Sequence, residues 1–340
     1  MSESLGGTLV VGANGFVGSH VVRQLAESGR TVRALVRNPA KTKAFDGLSV
    51  EVIQGDILEP CSLDSAMQGI DSVFHCALDA RFWLSDPSPL FQVNVDGLRN
   101  TMDAALKHDV KRFLFTSTMG TLGQNPSGLV NESTPFNWLD RAPAYIRSRL
   151  DAENLLLEYC QTRGLPGIAF CIANTYGPQD FGPTPHGHAL WLASRGELKS
   201  TLDTTAPTVD IRDAARAMIL GETEGRVGER YIIANEYTRF VDLYTLACEI
   251  HGCTPPKAIP YKLGYAVATL GEFWLKVRGK RDQMLSRDAI YLSDAFGPMD
   301  HTKATRELGW QPRPLRETVQ DAIRWYDEQP SHELGPEALP

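Results

Sequence analysis

The sequence carries no surplus of positive charge: 34 Lys and Arg stand against 41 Asp and Glu, a formal net charge of −7. That balance gives no global attraction to phosphate backbones or anionic membranes, so no nucleic acid is expected as a partner. Long hydrophobic runs are missing too. No stretch reaches the roughly 18 uninterrupted apolar residues of a membrane span, and no span is expected. The opening Met1-Ser2-Glu3-Ser4-Leu5-Gly6-Gly7 lacks the basic segment and apolar core of a secretory signal, so a cytoplasmic protein is expected. The six cysteines (Cys61, Cys76, Cys160, Cys171, Cys248 and Cys253) include no C-x-x-C pair. Reduced thiols and no metal site follow. His186 and His188 flank Gly187, but no acidic or cysteine cluster completes a metal site there.

What is present is an ordinary globular composition, 42% hydrophobic and 22% charged, in a chain long enough to bury a large core. Short β-branched runs at 8–11, 31–36, 49–53, 72–75, 112–116 and 167–172 alternate with helical patterns near 15–28, 40–45, 63–67, 90–107 and 144–162. Such alternation predicts an α/β fold, a Rossmann-type doubly wound parallel sheet with helices on both faces. After Asn174 the Gly- and Pro-rich stretch 176–187 is expected to hold no regular structure. Beyond it, helices near 188–195, 213–222, 240–251, 262–277 and 315–327 and a strand at 230–233 predict a smaller C-terminal α/β substrate lobe. The expected division is 1–174 for a cofactor domain, 175–328 mainly for the lobe, with some segments returning to the first domain, and 329–340 for a disordered tail.

Gly12-Ala13-Asn14-Gly15-Phe16-Val17-Gly18 lies between a buried strand and an amphipathic helix. A tight turn there aims helix N-terminal amides at a pyrophosphate, which predicts dinucleotide binding. The spacing, G-x-x-G-x-x-G, resembles that of the short-chain dehydrogenase/reductase superfamily. Further motifs occur in the order of its extended, NAD-dependent epimerase/dehydratase-like branch: Gly55-Asp56-Ile57, Val73-Phe74-His75-Cys76-Ala77, Asn94-Val95-Asp96-Gly97, Ala173-Asn174-Thr175-Tyr176-Gly177-Pro178, Val209-Asp210-Ile211-Arg212-Asp213, and Asp300, Lys303-Ala304, Leu308-Gly309-Trp310. The last set resembles a packing element. The segment Arg33-Ala34-Leu35-Val36-Arg37-Asn38-Pro39 is similar to that of dihydroflavonol-reductase-like members. Val36 fills the slot of the acidic residue that would bind an NAD ribose, and Arg37 follows where a cation would meet the NADP 2′-phosphate. Lys41 or Lys43 can assist.

The resemblance therefore implies NADP(H), with NAD as the alternative, held by Gly12, Gly15, Phe16, Val17, Gly18, Arg37, Asp56, Ile57, Ala77, Thr116, Tyr145, Arg149 and Asn174. Its catalytic tyrosine has a pKa lowered by a lysine four residues on. Here the match is Tyr145-Ile146-Arg147-Ser148-Arg149, a Y-x-x-x-R in place of Y-x-x-x-K. Phe115-Thr116-Ser117-Thr118-Met119-Gly120-Thr121 resembles the family's hydroxyl-bearing turn and sets Thr118 on the catalytic serine position, with Ser117 behind it. Tyr145, Arg149 and Thr118 are the implied catalytic set. Trp83, Thr118, Met119, Asn174 and His188 are the implied contacts of a small-molecule substrate, the partner that the resemblance implies.

Three functions compete. The first is an NADP(H)-dependent oxidoreductase moving a hydride between nicotinamide and a ketone, aldehyde or alcohol, on a lipophilic substrate suggested by Phe82-Trp83 and by the apolar run Leu263 to Val277. The second is a nucleotide-sugar epimerase or dehydratase, whose relatives carry G-D-G-x-x-x-R-D ahead of V-H-V. Gly196 to Thr208 here reads G-E-L-K-S-T-L-D-T-T-A-P-T, without that motif. The third is a catalytically weak dinucleotide sensor, suggested by the missing lysine and opposed by the intact tyrosine and threonine. The resemblance also implies a homodimer through the helices near Asp96 to Lys107 and Ala144 to Thr162.

Overall fold

Runs such as Thr8-Leu9-Val10-Val11 and Gly167-Ile168-Ala169-Phe170-Cys171-Ile172 are apolar at nearly every position, the mark of strands buried on both faces. A computed structural model, describing residues 6–125, 128–277 and 286–330, pairs them in parallel. The strands are β1 (Gly7–Val11), β2 (Val32–Val36), β3 (Glu51–Gln54), β4 (Ile70–His75), β5 (Arg112–Thr118) and β6 (Gly167–Ile172). Shorter ones follow: β7 (Asn174–Tyr176), β8 (Ser200–Leu202), β9 (Thr205–Asp210), β10 (Arg230–Ile233), β11 (Tyr237–Arg239) and β12 (Lys257–Ile259). The first six join β10 in a seven-stranded sheet ordered β10-β6-β5-β4-β1-β2-β3. Its order reverses between β1 and β4, and their diverging C-terminal ends leave a crevice for a ligand.

Helices cover both faces. They are α1 (Phe16–Glu27), α2 (Pro60–Ala66), α3 (Ser88–Phe91), α4 (Gly97–Lys107), α5 (Ala144–Arg163) and α6 (Pro185–Ser194). The rest are α7 (Ile211–Glu224), α8 (Phe240–His251), α9 (Tyr261–Val277), α10 (Arg287–Leu292), α11 (Thr302–Leu308) and α12 (Leu315–Glu328). Alternate residues of each strand point to opposite faces. Val10, Phe74 and Leu114 accordingly join a core with α1 and α7 residues, whereas Leu9, Val73 and Phe113 join another with α2, α4 and α5 residues. A third core (Tyr176, Leu190, Ala206, Phe240, Leu243, Val319 and Ile323) lies between α6, α8, α12 and the sheet β11-β9-β7. Side chains tie it to helix α1: His20 Nε2 meets the Pro178 carbonyl at 3.0 Å, and Gln24 donates to the Arg212 carbonyl at 2.8 Å.

Two expectations need correction. The helix expected at 40–45 is a single 3₁₀ turn, Lys43–Phe45, because the Asn38 side chain accepts the Ala40 amide at 2.9 Å and holds a turn instead. The stretch 176–187 is not wholly irregular. Tyr176 closes β7, and Pro185 opens α6 behind Thr184, whose hydroxyl accepts the Gly187 amide at 3.1 Å. Gln329, assigned to the tail, donates its amide to the Tyr326 carbonyl at 3.1 Å; residues 331–340 lie outside the described ones.

The C-terminal element packs back on the large sheet. Trp310 is fully buried, donates its indole N–H to the Asp213 carbonyl at 2.8 Å, and stands over α7 with Leu308 and Ala304. Lys303 donates to Glu229 at 2.7 Å and to the Arg230 carbonyl at 2.8 Å. Trp310→Ala is expected to lower stability by about 3–5 kcal/mol, read as a lower urea midpoint. An unchanged midpoint would deny the element its packing role.

Candidate active site

The crevice between β1 and β4 is shaped by the absence of side chains. Gly12 has φ +74°, and a Cβ there would fall 2.6 Å from the Ala77 Cα, so the turn lies directly against the small residue that follows β4. A Cβ on Gly18 would fall 2.3 Å from the Gly12 carbonyl oxygen, which lets α1 start right at the end of β1. Gly15 is the N-cap of α1, and that helix has neither a capping side chain nor an acidic residue in its first turn. The positive end of the helix dipole at Phe16, Val17 and Gly18 is left uncompensated, as a phosphate site requires. Ile57 is buried against Gly97, where a Cβ would clash at 2.4 Å, so the Asp56-Ile57 turn and the Asn94–Gly97 segment meet. Asp56 is half-buried and takes the Leu58 amide at 2.9 Å.

Arg37 is exposed just past the end of β2. Its charge reaches Asp79 across the glycine turn. Burial by itself would raise the Asp79 carboxyl, but hydrogen bonds from Arg81 and the charges of Arg81 and Arg37 hold it below the ordinary range. Arg81 grips that carboxylate at 2.9 and 3.1 Å through Nε. Asn94, on a π turn (Gln92–Asp96) between α3 and α4, accepts the Asp79 amide at 2.8 Å and donates to the Asp79 carbonyl at 3.0 Å and to Ser148 Oγ at 2.9 Å. The loop after β4 is thereby fastened to α5.

Thr118 ends β5, and Tyr145 and Arg149 lie one turn apart on α5. The Thr118 hydroxyl is within hydrogen-bonding reach of the Tyr145 phenol. Burial raises the Tyr145 pKa from its ordinary value, and the Arg149 charge and the Thr118 bond pull it back only in part; Asp79 adds a small push upward. The net shift is up. The phenolate loses more by desolvation than the guanidinium returns. Arg149 is 1% exposed. One of its nitrogens, Nη2, donates to the Thr116 carbonyl, and its guanidinium carbon stands 5.0 Å from the Phe115 ring centroid. Its Nε and Nη1 are buried and have no hydrogen-bond partner. Unsatisfied buried donors cost roughly 1–3 kcal/mol each, more when charged, and mark a site built for a further acceptor. His75, buried between the planes of Phe113 and Phe115, is driven down to about 3 by burial and by the Arg149 charge, so it stays neutral.

The remaining expected residues spread outward. Met119 is buried at the turn after Thr118, and Asn174 pairs with Thr208 at the start of the second sheet. Trp83 meets Phe82 edge-on at 5.0 Å, and His188 lies on α6 with its ring 5.8 Å from Trp191. The geometry brings Thr118, Tyr145, Arg149 and Thr116 into one constellation and the glycine turn, Ala77 and Arg37 along one crevice. Trp83 and His188 are placed by these aromatic neighbours. Asp79, Asn94, Ser148 and His75 were not assigned site roles from the sequence. Ser148, Asn94 and His75 lie inside matched motifs, which is the available signal. In the described residues no cluster of three metal-ligating side chains occurs, and no helix is long and apolar enough to cross a membrane.

Residues 8–234 match the NAD dependent epimerase/dehydratase family. The chain is 30% identical to sterol demethylase protein B of Methylococcus capsulatus over 94% of its length and 98% of the relative's. It is 29% identical to a putative dihydroflavonol 4-reductase of Synechocystis, covering 93% of each. The crystal structure of gox2253 superposes with a TM-score of 0.84 at 32% identity, covering 94% of this chain and 98% of that one. With a glycine turn at the β1/β4 crevice and a Tyr–Thr pair at its end, the chain belongs to the NAD dependent epimerase/dehydratase family, enzymes of the extended short-chain dehydrogenase/reductase type that use a nicotinamide dinucleotide.

Proposed function

We propose that the protein is an NADP(H)-dependent oxidoreductase that interconverts a carbonyl and an alcohol on a lipophilic substrate. The observation that carries the reading is the Tyr145–Thr118 pair set beside a buried cation with two unpartnered donors. The residues present fit the cofactor. Gly12, Gly15 and Gly18 leave the backbone bare for a pyrophosphate, Arg37, exposed just past β2, would offer a cation to a 2′-phosphate, and Arg149 Nε and Nη1 would offer donors to ribose hydroxyls. When bound, the nicotinamide supplies or accepts the hydride. Tyr145 Oη gives a proton to the carbonyl oxygen in reduction and takes it back in oxidation. Thr118 Oγ1 holds that oxygen, and Arg149 stabilises the tyrosinate left behind.

Support for a lipophilic substrate comes from the Phe82–Trp83 pair, from buried Met119 and from the sterol demethylase relative. The epimerase alternative needs a cation to meet a sugar-nucleotide diphosphate ahead of β9. Lys199, the one cation in Gly196 to Thr208, turns onto the Gly196 carbonyl at 2.7 Å.

Tyr145→Phe is expected to lower kcat by about 10²–10⁴-fold and to leave NADPH binding, followed by fluorescence titration, nearly unchanged. Equal loss of binding and turnover would argue that Tyr145 only shapes the pocket. Arg37→Ala is expected to weaken NADPH by roughly 10–100-fold and NADH hardly at all; parallel weakening of both would sink the phosphate assignment. Because burial keeps Tyr145 protonated above its ordinary range, reduction should hold into alkaline pH and fall only as pH rises through the raised pKa, while alcohol oxidation rises there. The kcat profile in both directions checks this, and a reduction limb lost near neutral pH would contradict it.

A further inference from the structure

Tyr145, Arg149 and Glu153 recur at four-residue intervals on α5 and so share one face. The reaction proposed above uses the first two. Glu153 is 1% exposed and lies at the junction of three strands. Its Oε2 accepts hydrogen bonds from Ser117 Oγ on β5, from Thr121 Oγ1 at 2.9 Å and from Cys171 Sγ on β6 at 3.4 Å. Its Oε1 accepts from Arg230 Nη1 on β10 at 3.0 Å. The same Thr121 hydroxyl lies 2.8 Å from the Thr118 carbonyl, so its single proton is shared between that carbonyl and Glu153 at the turn that follows Thr118. Ser117 lies between Thr118 and the Thr116 carbonyl that receives Arg149.

We propose that Glu153 is a positioning residue of the reacting centre: its carboxylate holds the end of β5, which sets Thr118, and balances the buried Arg149 guanidinium beside Tyr145. The inference rests on the functional reading above. The alternative is a purely structural bolt between α5 and the sheet. The two differ electrostatically. A bolt only holds atoms in place, whereas a balancing charge also sets how readily Tyr145 ionises.

The groups facing this string come from every element around it. Arg149 is faced by Tyr145 and Glu153 on its own helix, by Cys171 on β6 and by His75 on β4. Tyr145 is faced by Arg149, by Thr118 and by Asp79 in the loop after β4. Arg230 is held from its far side by the Glu132 carbonyl at 2.9 Å through Nε. Removing the Glu153 charge leaves Arg149 and Arg230 uncompensated, which favours tyrosinate. Removing the Arg230 charge leaves Glu153 uncompensated, which disfavours it.

The test is the ionisation of Tyr145, read as tyrosinate absorbance against a Tyr145→Phe background, together with the pH profile of carbonyl reduction. Glu153 and Tyr145 are two helical turns apart, about 12 Å. Glu153→Gln is expected to shift both titrations downward by roughly one pH unit and to reduce kcat by about tenfold, with the KM for NADPH changed less than about twofold. Glu153→Asp should return the titration toward the parent value. Arg230→Gln should shift it upward, and it carries the test by itself if Glu153→Gln does not fold. Unshifted titrations in these variants, with kcat lowered evenly at every pH, would overturn the proposal and leave the bolt. A parent protein whose Tyr145 titrates and responds to Glu153→Gln, but which reduces no carbonyl, would count against the functional reading and not against the role of Glu153.

Discussion

A guanidinium buried between β5 and α5 is the constraint around which the centre is arranged. Charge cannot be taken out of water without compensation. Here compensation comes from the Thr116 carbonyl, the face of Phe115 and the carboxylate one turn on, Glu153. Each of these fixes α5 against the strand that carries Thr118. The same demand keeps His75 neutral beneath the cation, because a second positive charge there would have no partner. Helix register, strand end and protonation state follow from one buried charge.

The glycine turn works by the opposite means. Nothing charged holds Gly12 against Ala77; they approach because neither carries bulk, and the dipole of α1 supplies the positive potential. The glycine turn, proposed to meet phosphate through its backbone, and the Tyr145–Thr118 pair, proposed to handle the proton, sit at the two ends of one crevice. The link between them is the loop after β4, fastened by Asn94 to α5 and by the Arg81–Asp79 grip to itself.

Legibility in the sequence follows this division. The strand–turn–helix at 7–27 was readable because period, glycine spacing and flanks agree locally, and Tyr145 and Arg149 because i, i+4 places them together on any helix. The packing role of Leu308-Gly309-Trp310 was readable in the same way. Glu153 was not, since a glutamate in a helix with many charges reads as solvated surface until the fold buries it. The strand β9 was hidden by Pro207, which argues against a strand although it pairs with Tyr237 in the second sheet. The helix expected at 40–45 failed because one side chain, Asn38, captured the backbone first. Asp210 lies in the segment that resembles V-H-V, at the position of its histidine. In the fold it accepts the Arg212 amide at 2.7 Å as the N-cap of α7, so it has a local task of its own.

The same reasoning bears on Arg149. Lysine would bring a compact ammonium with all its donors at one tip. An arginine needs a flat surface for its plane and an acceptor for one edge, and both are present in the Phe115 ring and the Thr116 carbonyl. The other donors, Nε and Nη1, are then left free of protein partners. A site that had merely lost its lysine would have no reason to bury the replacement at 1% exposure, since a long cation can snorkel to water at little cost. Buried, set over an aromatic ring and backed by Glu153, the guanidinium occupies a socket shaped for it. The departure from the family pattern is therefore better read as a rebuilt cation site than as a decayed one.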